Sequence, residues 1–154
     1  MRLSYLAALA ALILPFPALA FDANGTGHGT SMNEAMPVHE GLVVVKVASS
    51  YTGFDTDDPN NMLATANGPC YGTMIIDKGA VTGGGACDYT DADGDRIVMR
   101  WTPTGFDPEG RTVGNWALIG GTGKWMNASG EGAFNAGGDG DAYTNRVTGS
   151  VNMN

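Results

Sequence analysis

The sequence predicts an all-β protein of seven or eight short antiparallel strands, rich in hairpins and meanders, arranged as a sandwich or a barrel. Three observations carry this. The chain holds 24 glycines in 154 residues, the first of them Gly25, and glycine-rich turns separate its apolar runs. Beyond residue 20 no stretch shows the 3.6-residue apolar period of a helix. The apolar runs that do occur are valine-rich or alternate with polar residues, at regular spacing, as half-buried strands do.

The first twenty residues are of another kind. "MRLSYLAALAALILPFPALA" has Arg2, an apolar run and the small-residue ending Ala18-Leu19-Ala20. That is the pattern of a secretory signal cut before Phe21. A membrane anchor is the competing reading, but the run is short for a span and is broken by Pro15 and Pro17. Cleavage would send the chain to the periplasm or the extracellular space. It would leave 154 less 20, or 134, residues, which is one domain with room for a real core. The formal net charge is −8, and loss of Arg2 takes it to −9. Such a surface repels nucleic acid and anionic lipid, so neither is expected as a partner. No later segment is apolar enough to insert in a membrane.

Residues 21–40 are polar, glycine-containing and aperiodic, and read as a mobile N-terminal arm. Residues 41–154 read as a single domain. Its first strand is "GLVVVKVASSY", residues 41–51, followed by the acidic loop "TGFDTDDPNNML". Residues 70–102 can be read pair by pair. With Lys78-Gly79 as a two-residue turn and Asp77 opposite Ala80, Cys70 falls opposite Cys87. One face then carries Cys70, Met74 and Ile76 against Val81, Cys87 and Tyr89. The other carries Tyr71, Thr73 and Asp77 against Thr82, Asp88 and Thr90. The first face is apolar and the second largely polar, as a half-buried hairpin requires. "GGG" at 83–85 could hold a bulge.

The next turn is "DADGD", residues 91–95. A three-residue loop with Gly94 left-handed sets Tyr89 opposite Ile97 and Cys87 opposite Met99. Trp101 lies further along the same dry face, while Arg96, Val98 and Arg100 point the other way. A strand over 112–120, a glycine turn, a strand around Lys124 to Phe134, a "GGDGD" turn and a last strand complete the chain. In an exported protein the even pair Cys70 and Cys87, opposed on a dry face, is expected as a disulfide. Two thiols alone make a poor zinc site.

"LIGGTGKW", residues 118–125, has the composition of a phosphate loop but not its spacing. A P-loop needs glycine five residues before the glycine of its Gly-Lys pair and a hydroxyl after the lysine. Leu118 and Trp125 stand in those places. The expectation is a tight structural turn made by Gly120, Gly121 and Gly123, with Lys124 reaching solvent.

The same stretch, extended to "LIGGTGKWMNASGEG" over residues 118–132, resembles the hallmark of dirigent proteins and of the allene-oxide-cyclase-like barrels. In those families an apolar strand enters a Gly-Gly-Thr-Gly turn, followed by a basic or polar residue, an aromatic and a Gly-x-Gly strand. The resemblance implies an eight-stranded antiparallel barrel with a central cavity, often assembled as a homo-oligomer. The cysteine hairpin and "DADGD" depart from the plant proteins, as in an exported bacterial relative. No catalytic residue of those families is matched, so no catalytic role carries over and whether the chain is an enzyme stays open.

"DADGD" also invites a calcium reading, but glycine is fourth rather than sixth in it and the twelfth residue from Asp91 is Thr102. No metal and no cofactor is expected. A weak divalent site would need the acidic groups of 55–58, 91–95 and 139–141 to converge at one barrel end. His28 and His39 read as solvated. The leading expectation is a small, partly apolar ligand held in the interior by Met74, Tyr89, Met99, Trp101 and Trp116. The alternatives are an isomerase- or cyclase-like enzyme, or a structural or surface-interaction module. A buried carboxylate or tyrosine facing a cavity would favour the enzyme, and a filled interior the module.

Overall fold

The structure, a computed structural model, describes residues 19–138 and 140–153. Most of the expected signal, residues 1–18, and Asp139 lie outside the described residues. Ten strands follow in order: β1 Leu19–Asp22, β2 Gly25–Ser31, β3 Glu34–His39, β4 Leu42–Asp55, β5 Gly68–Asp77, β6 Ala80–Thr90, β7 Arg96–Phe106, β8 Thr112–Gly121, β9 Ser129–Gly137 and β10 Tyr143–Met153. Eight of them, β2 and β4 to β10, close an antiparallel barrel in which β10 pairs with both β9 and β2. Closure leaves those eight without a free edge.

The two hairpins have the register that their turns dictate. Lys78 and Gly79 have φ of 49° and 88°, the two positive values of a type I′ turn, whose twist matches that of the strands. From there the pairing runs without a shift from Asp77–Ala80 to Cys70–Cys87, so the three glycines 83–85 hold no bulge. Gly94 is left-handed, with φ of 83°, and sets Tyr89 opposite Ile97, Cys87 opposite Met99 and Gly85 opposite Trp101.

The N-terminal segment differs from expectation. Residues 21–40, expected as a mobile arm, are paired into the sheet. β1 runs along Ser150–Met153 of β10, β2 bridges β10 and β4, and β3 lies along Leu42–Lys46 of β4. The segment lacks alternating apolar residues because its glycines make room for neighbours. A Cβ on Gly27 would stand 2.7 Å from the Phe54 ring, and one on Gly29 would stand 2.1 Å from the Ser50 carbonyl oxygen. β3 is exposed throughout and pairs on one side only, so it shows no buried face to be read. A proline and a register shift at Pro37/His39 fit an edge strand.

The strand expected from Lys124 begins only at Ser129. Between lies a single 3-10 turn, Gly123–Trp125, and a second spans Gly140–Ala142. Among the described residues no helix is long and apolar enough to cross a membrane. The glycines of "GGTGKW" serve different needs. Gly123 is left-handed, with φ of 51°, and Gly120 has φ of 139°. Gly121 is not left-handed. Its Cβ would fall 1.9 Å from the Arg96 carbonyl oxygen and 2.8 Å from Trp125 Cβ, so crowding rather than dihedral strain excludes a side chain there.

That distinction can be measured. Gly120→Ala, with no atom nearer than 3.6 Å to the new Cβ, is expected to lose about 1–2 kcal/mol through its dihedral alone. Gly121→Ala should lose more, roughly 3 kcal/mol, because backbone must move. Valine at Gly121 or Gly123 should be worse still. Chemical denaturation decides it, and a Gly121→Ala variant as stable as the parent would refute the crowding.

Candidate functional site

Alternation along the closed strands turns one face of each inward. β4 contributes Val45, Val47, Ser49 and Tyr51, β5 Cys70 and Met74, and β6 Cys87 and Tyr89, all of them buried. β7 contributes Met99 and Trp101, β8 Trp116, β9 Phe134 and Ala136, and β10 Tyr143 and Val147. All of these except Val45 enclose a cavity. The space in it open to the centre of a water-sized sphere is about 70 Å³. One water needs on the order of 10–15 Å³ on that measure, so the interior has room for about five waters or one six-membered ring. Met74, Tyr89, Met99, Trp101 and Trp116, expected as lining from the sequence, all lie on its wall.

Trp101 and Trp116 face each other directly across β7 and β8. Each indole lies over two glycines of the flanking strands. A Cβ on Gly72 or Gly85 would come 2.6 or 2.7 Å from Trp101 Cζ2, and one on Gly149 would come 2.7 Å from Trp116 Cζ2. These inward glycines are therefore seats for the two rings. Trp116 Nε1 donates to the Thr148 carbonyl at 3.1 Å, and Trp101 meets the Phe134 ring edge-on at 6.4 Å.

The disulfide expected between Cys70 and Cys87 is present, with Cα atoms 4.0 Å apart, and it forms part of the wall. The Tyr89 hydroxyl donates to Cys70 Sγ at 3.0 Å, since a bridged sulfur carries no proton. Around it gather residues that sequence reasoning missed. Tyr51 packs against Phe54, Tyr89 and Tyr143 at ring centroid distances of 5.7, 5.8 and 5.9 Å. Burial is the first cause that raises the pKa of all three tyrosines, and for Tyr51 the neighbouring phenols raise it further. The three phenols therefore stay neutral near pH 7. They can donate hydrogen bonds, or polarise a carbonyl, but they are poor bases. The period-two alternation through Val47 to Tyr51 was the signal that could have found Tyr51.

A second cluster binds the "GGTGKW" stretch to the "DADGD" turn. Lys124, expected to reach solvent, instead holds Asp91 and Asp93 at 2.6 Å each, with Asp95 at 3.9 Å. Trp125 is fully buried and its Nε1 donates to Asp91 Oδ2 at 2.8 Å. Asp91 also accepts from the backbone N–H groups of Asp93 and Asp95. Burial by itself would raise the Asp91 pKa. The hydrogen bonds from Lys124, Trp125 and the two amides outweigh it and lower the value from 3.8 to about 2.

A carboxyl whose pKa is lowered in the folded state stabilises the fold above its unfolded pKa and loses that contribution as pH falls through the folded value. About 2 kcal/mol should thus disappear between roughly pH 5 and pH 2. Urea titrations of parent and Asp91→Asn across that range test it, and an equal acid slope in both would remove Asp91 from the account.

The acidic loops do not converge. Residues 55–58 and 91–95 join strands at one end of the barrel, whereas the β9–β10 connection lies at the other. Among the described residues no three His, Cys, Asp or Glu side chains are grouped to hold a metal ion. His28 and His39 are exposed; His28 Nε2 meets Asp55 Oδ2 at 2.9 Å, and nothing joins either imidazole to the cavity wall.

Comparison with known proteins fits this architecture. No family model matches the chain, and no curated protein matches it. Solved structures that share its fold include two dirigent proteins. The pterocarpan synthase dirigent protein GePTS1 is similar at a TM-score of 0.54 and 13% identity, over 97% of this chain and 98% of that one. The pterocarpan synthase dirigent protein PsPTS1 is similar at 0.51 and 13% identity, over 86% of this chain and 94% of that one. At that identity the likeness is one of fold. The chain has the dirigent-like barrel that residues 118–132 led us to expect.

Proposed function

We propose that this protein is an exported barrel that binds one small, largely apolar molecule in its interior and orients it through neutral phenol hydroxyls. One observation carries the reading. Tyr51, Tyr89 and Tyr143, from three strands, gather on the wall of a largely apolar cavity. Such a pocket, apolar with a few convergent polar groups, is the ordinary form of a small-molecule site. The fold shared with dirigent proteins supports it. The Cys70–Cys87 bridge fits an oxidising compartment and so supports export.

Trp101 and Trp116 line the cavity, so their fluorescence reports occupancy. Titration with single-ring ketones should change that emission. Tyr51→Phe and Tyr143→Phe, which keep the ring and remove the hydroxyl, should each weaken binding about three- to ten-fold. No change in emission with any small cyclic compound, together with no co-purifying molecule in native mass spectra, would sink the reading.

A second reading, a cofactor-free isomerase or cyclase, draws on the same tyrosines. Preorganised phenol donors in a water-poor cavity can stabilise a developing oxyanion. Among the described residues no carboxylate lines the cavity, so a general base would have to come from elsewhere. Turnover of a bound ketone that falls at least ten-fold in the Tyr→Phe variants would move the assignment from binding to catalysis.

A further inference from the structure

We propose that Trp101 Nε1–H and Asn145 Oδ1 are the polar anchors of the cavity, and that its ligand is a neutral single-ring molecule with a hydrogen-bond acceptor at one end and a donor at the other. This rests on the interior-binding reading above and adds the ligand's chemistry to it.

Both atoms are shielded from solvent and have no hydrogen-bond partner among the described residues. Both residues line the cavity. The contrast with neighbouring groups is specific. Trp116 and Trp125, buried as well, place their N–H groups on the Thr148 carbonyl and on Asp91. Tyr89 places its hydroxyl on Cys70 Sγ. Trp101 alone of the three tryptophans has a shielded donor with no hydrogen-bond partner among the described residues. A shielded donor or acceptor without a partner lowers stability, and folded proteins carry few of them. Two on the wall of one cavity are what a complementary ligand would satisfy.

Their positions fix the ligand's outline. β7 and β10 stand three steps apart around the ring of eight strands, so the donor and the acceptor approach from separated walls. The ligand's two polar groups therefore belong at opposite ends of its ring. Its charge follows from the lining. Among the described residues Arg100 is the one charged side chain there, and it is exposed. An ionised ligand would lose its hydration with no buried counter-charge to replace it. Its size follows from the volume, which admits about one six-membered ring.

The test is calorimetry and NMR titration of the protein with benzene, cyclohexanone, 4-hydroxycyclohexanone and 4-oxocyclohexanecarboxylate. The hydroxyketone should bind about ten-fold or more tighter than benzene, with cyclohexanone between them and no binding of the carboxylate. Asn145→Leu keeps the side-chain volume and removes the acceptor. It should bring the hydroxyketone down to the affinity of cyclohexanone while the Tm stays level or rises. Trp101→Phe should narrow the advantage of cyclohexanone over benzene, leaving the part that the phenol hydroxyls supply. A lower Tm in Asn145→Leu would show that Oδ1 serves the fold and would overturn the proposal. So would equal affinities of benzene and the hydroxyketone, and in that case interior binding would stand without these anchors. If none of the four compounds bound, benzene included, the interior-binding reading would fall as well.

Discussion

Trp125→Ala is expected to remove about 4 kcal/mol of stability, the range seen when a fully buried indole is truncated. Trp125 is among the largest side chains with no exposed surface, and it follows directly on the glycine turn. Gly121 lies under it, so close that a Cβ there would meet Trp125 Cβ at 2.8 Å. Phe21 meets it edge-on, with ring centroids 6.3 Å apart. Its Nε1 is one of the donors that keep Asp91 ionised. Truncation therefore opens a cavity and also leaves a buried carboxylate with one donor fewer. Trp125→Phe separates the two effects. It keeps most of the ring and should cost about 1–3 kcal/mol, chiefly through Asp91. It should also flatten the acid dependence of stability, because part of what depresses the Asp91 pKa is gone. Total stabilities of single domains are about 5–15 kcal/mol, so the alanine variant should be close to unfolding at 37 °C. Urea denaturation measures both. A loss below about 1 kcal/mol for Trp125→Ala would show that the indole does not hold the two turns together.

The second large effect is reduction of the Cys70–Cys87 bridge. The bridge joins directly opposed residues of β5 and β6 and closes a loop with a sequence separation of 17. In the chain-entropy model a loop of that size contributes about 3 kcal/mol. The real value should fall somewhat lower, because a type I′ turn at Lys78-Gly79 pre-forms part of the hairpin in the unfolded chain. The bridge is buried, at 5% and 7% exposure for its two cysteines, so reductant should act slowly on the folded protein and fully once it is unfolded. Mass spectrometry of the unreduced chain should show two hydrogens fewer than the free-thiol form. Cys70→Ala/Cys87→Ala should melt well below the parent in non-reducing buffer, and reductant should then leave its melt unchanged. Equal melting of parent and double variant would mean that the unfolded chain gains nothing from being cross-linked.

How much was legible in the residues follows from how local each signal is. The meander over residues 70–102 could be registered in advance. A two-residue turn fixes which residues face each other, and one slip would have moved Cys70, Met74 and Tyr89 to the wet face. Met74, Tyr89, Met99 and Trp101 followed from that register, while Trp116 lay in the strand over 112–120, outside it. The motif Leu118–Gly132 pointed to the barrel.

β1 to β3 were not legible. Their residues are set by what approaches them, Phe54 against Gly27 and the Ser50 backbone against Gly29, and those partners lie far along the chain. Lys124 looked like a solvent lysine because its three aspartates stand about thirty residues earlier and come beside it only when β6, β7 and β8 close into the barrel. The tyrosine cluster has the same cause. Tyr51, Tyr89 and Tyr143 each sit correctly on a dry face, but that they face one another depends on strand order and closure. The sequence by itself determined which residues turn inward along β5, β6 and β7, because side-chain direction alternates with every residue and the two turns set the register. Only the tertiary structure decided which inward residues meet, and that these leave a cavity beside three phenols, because closure sets distances between strands that no local pattern encodes.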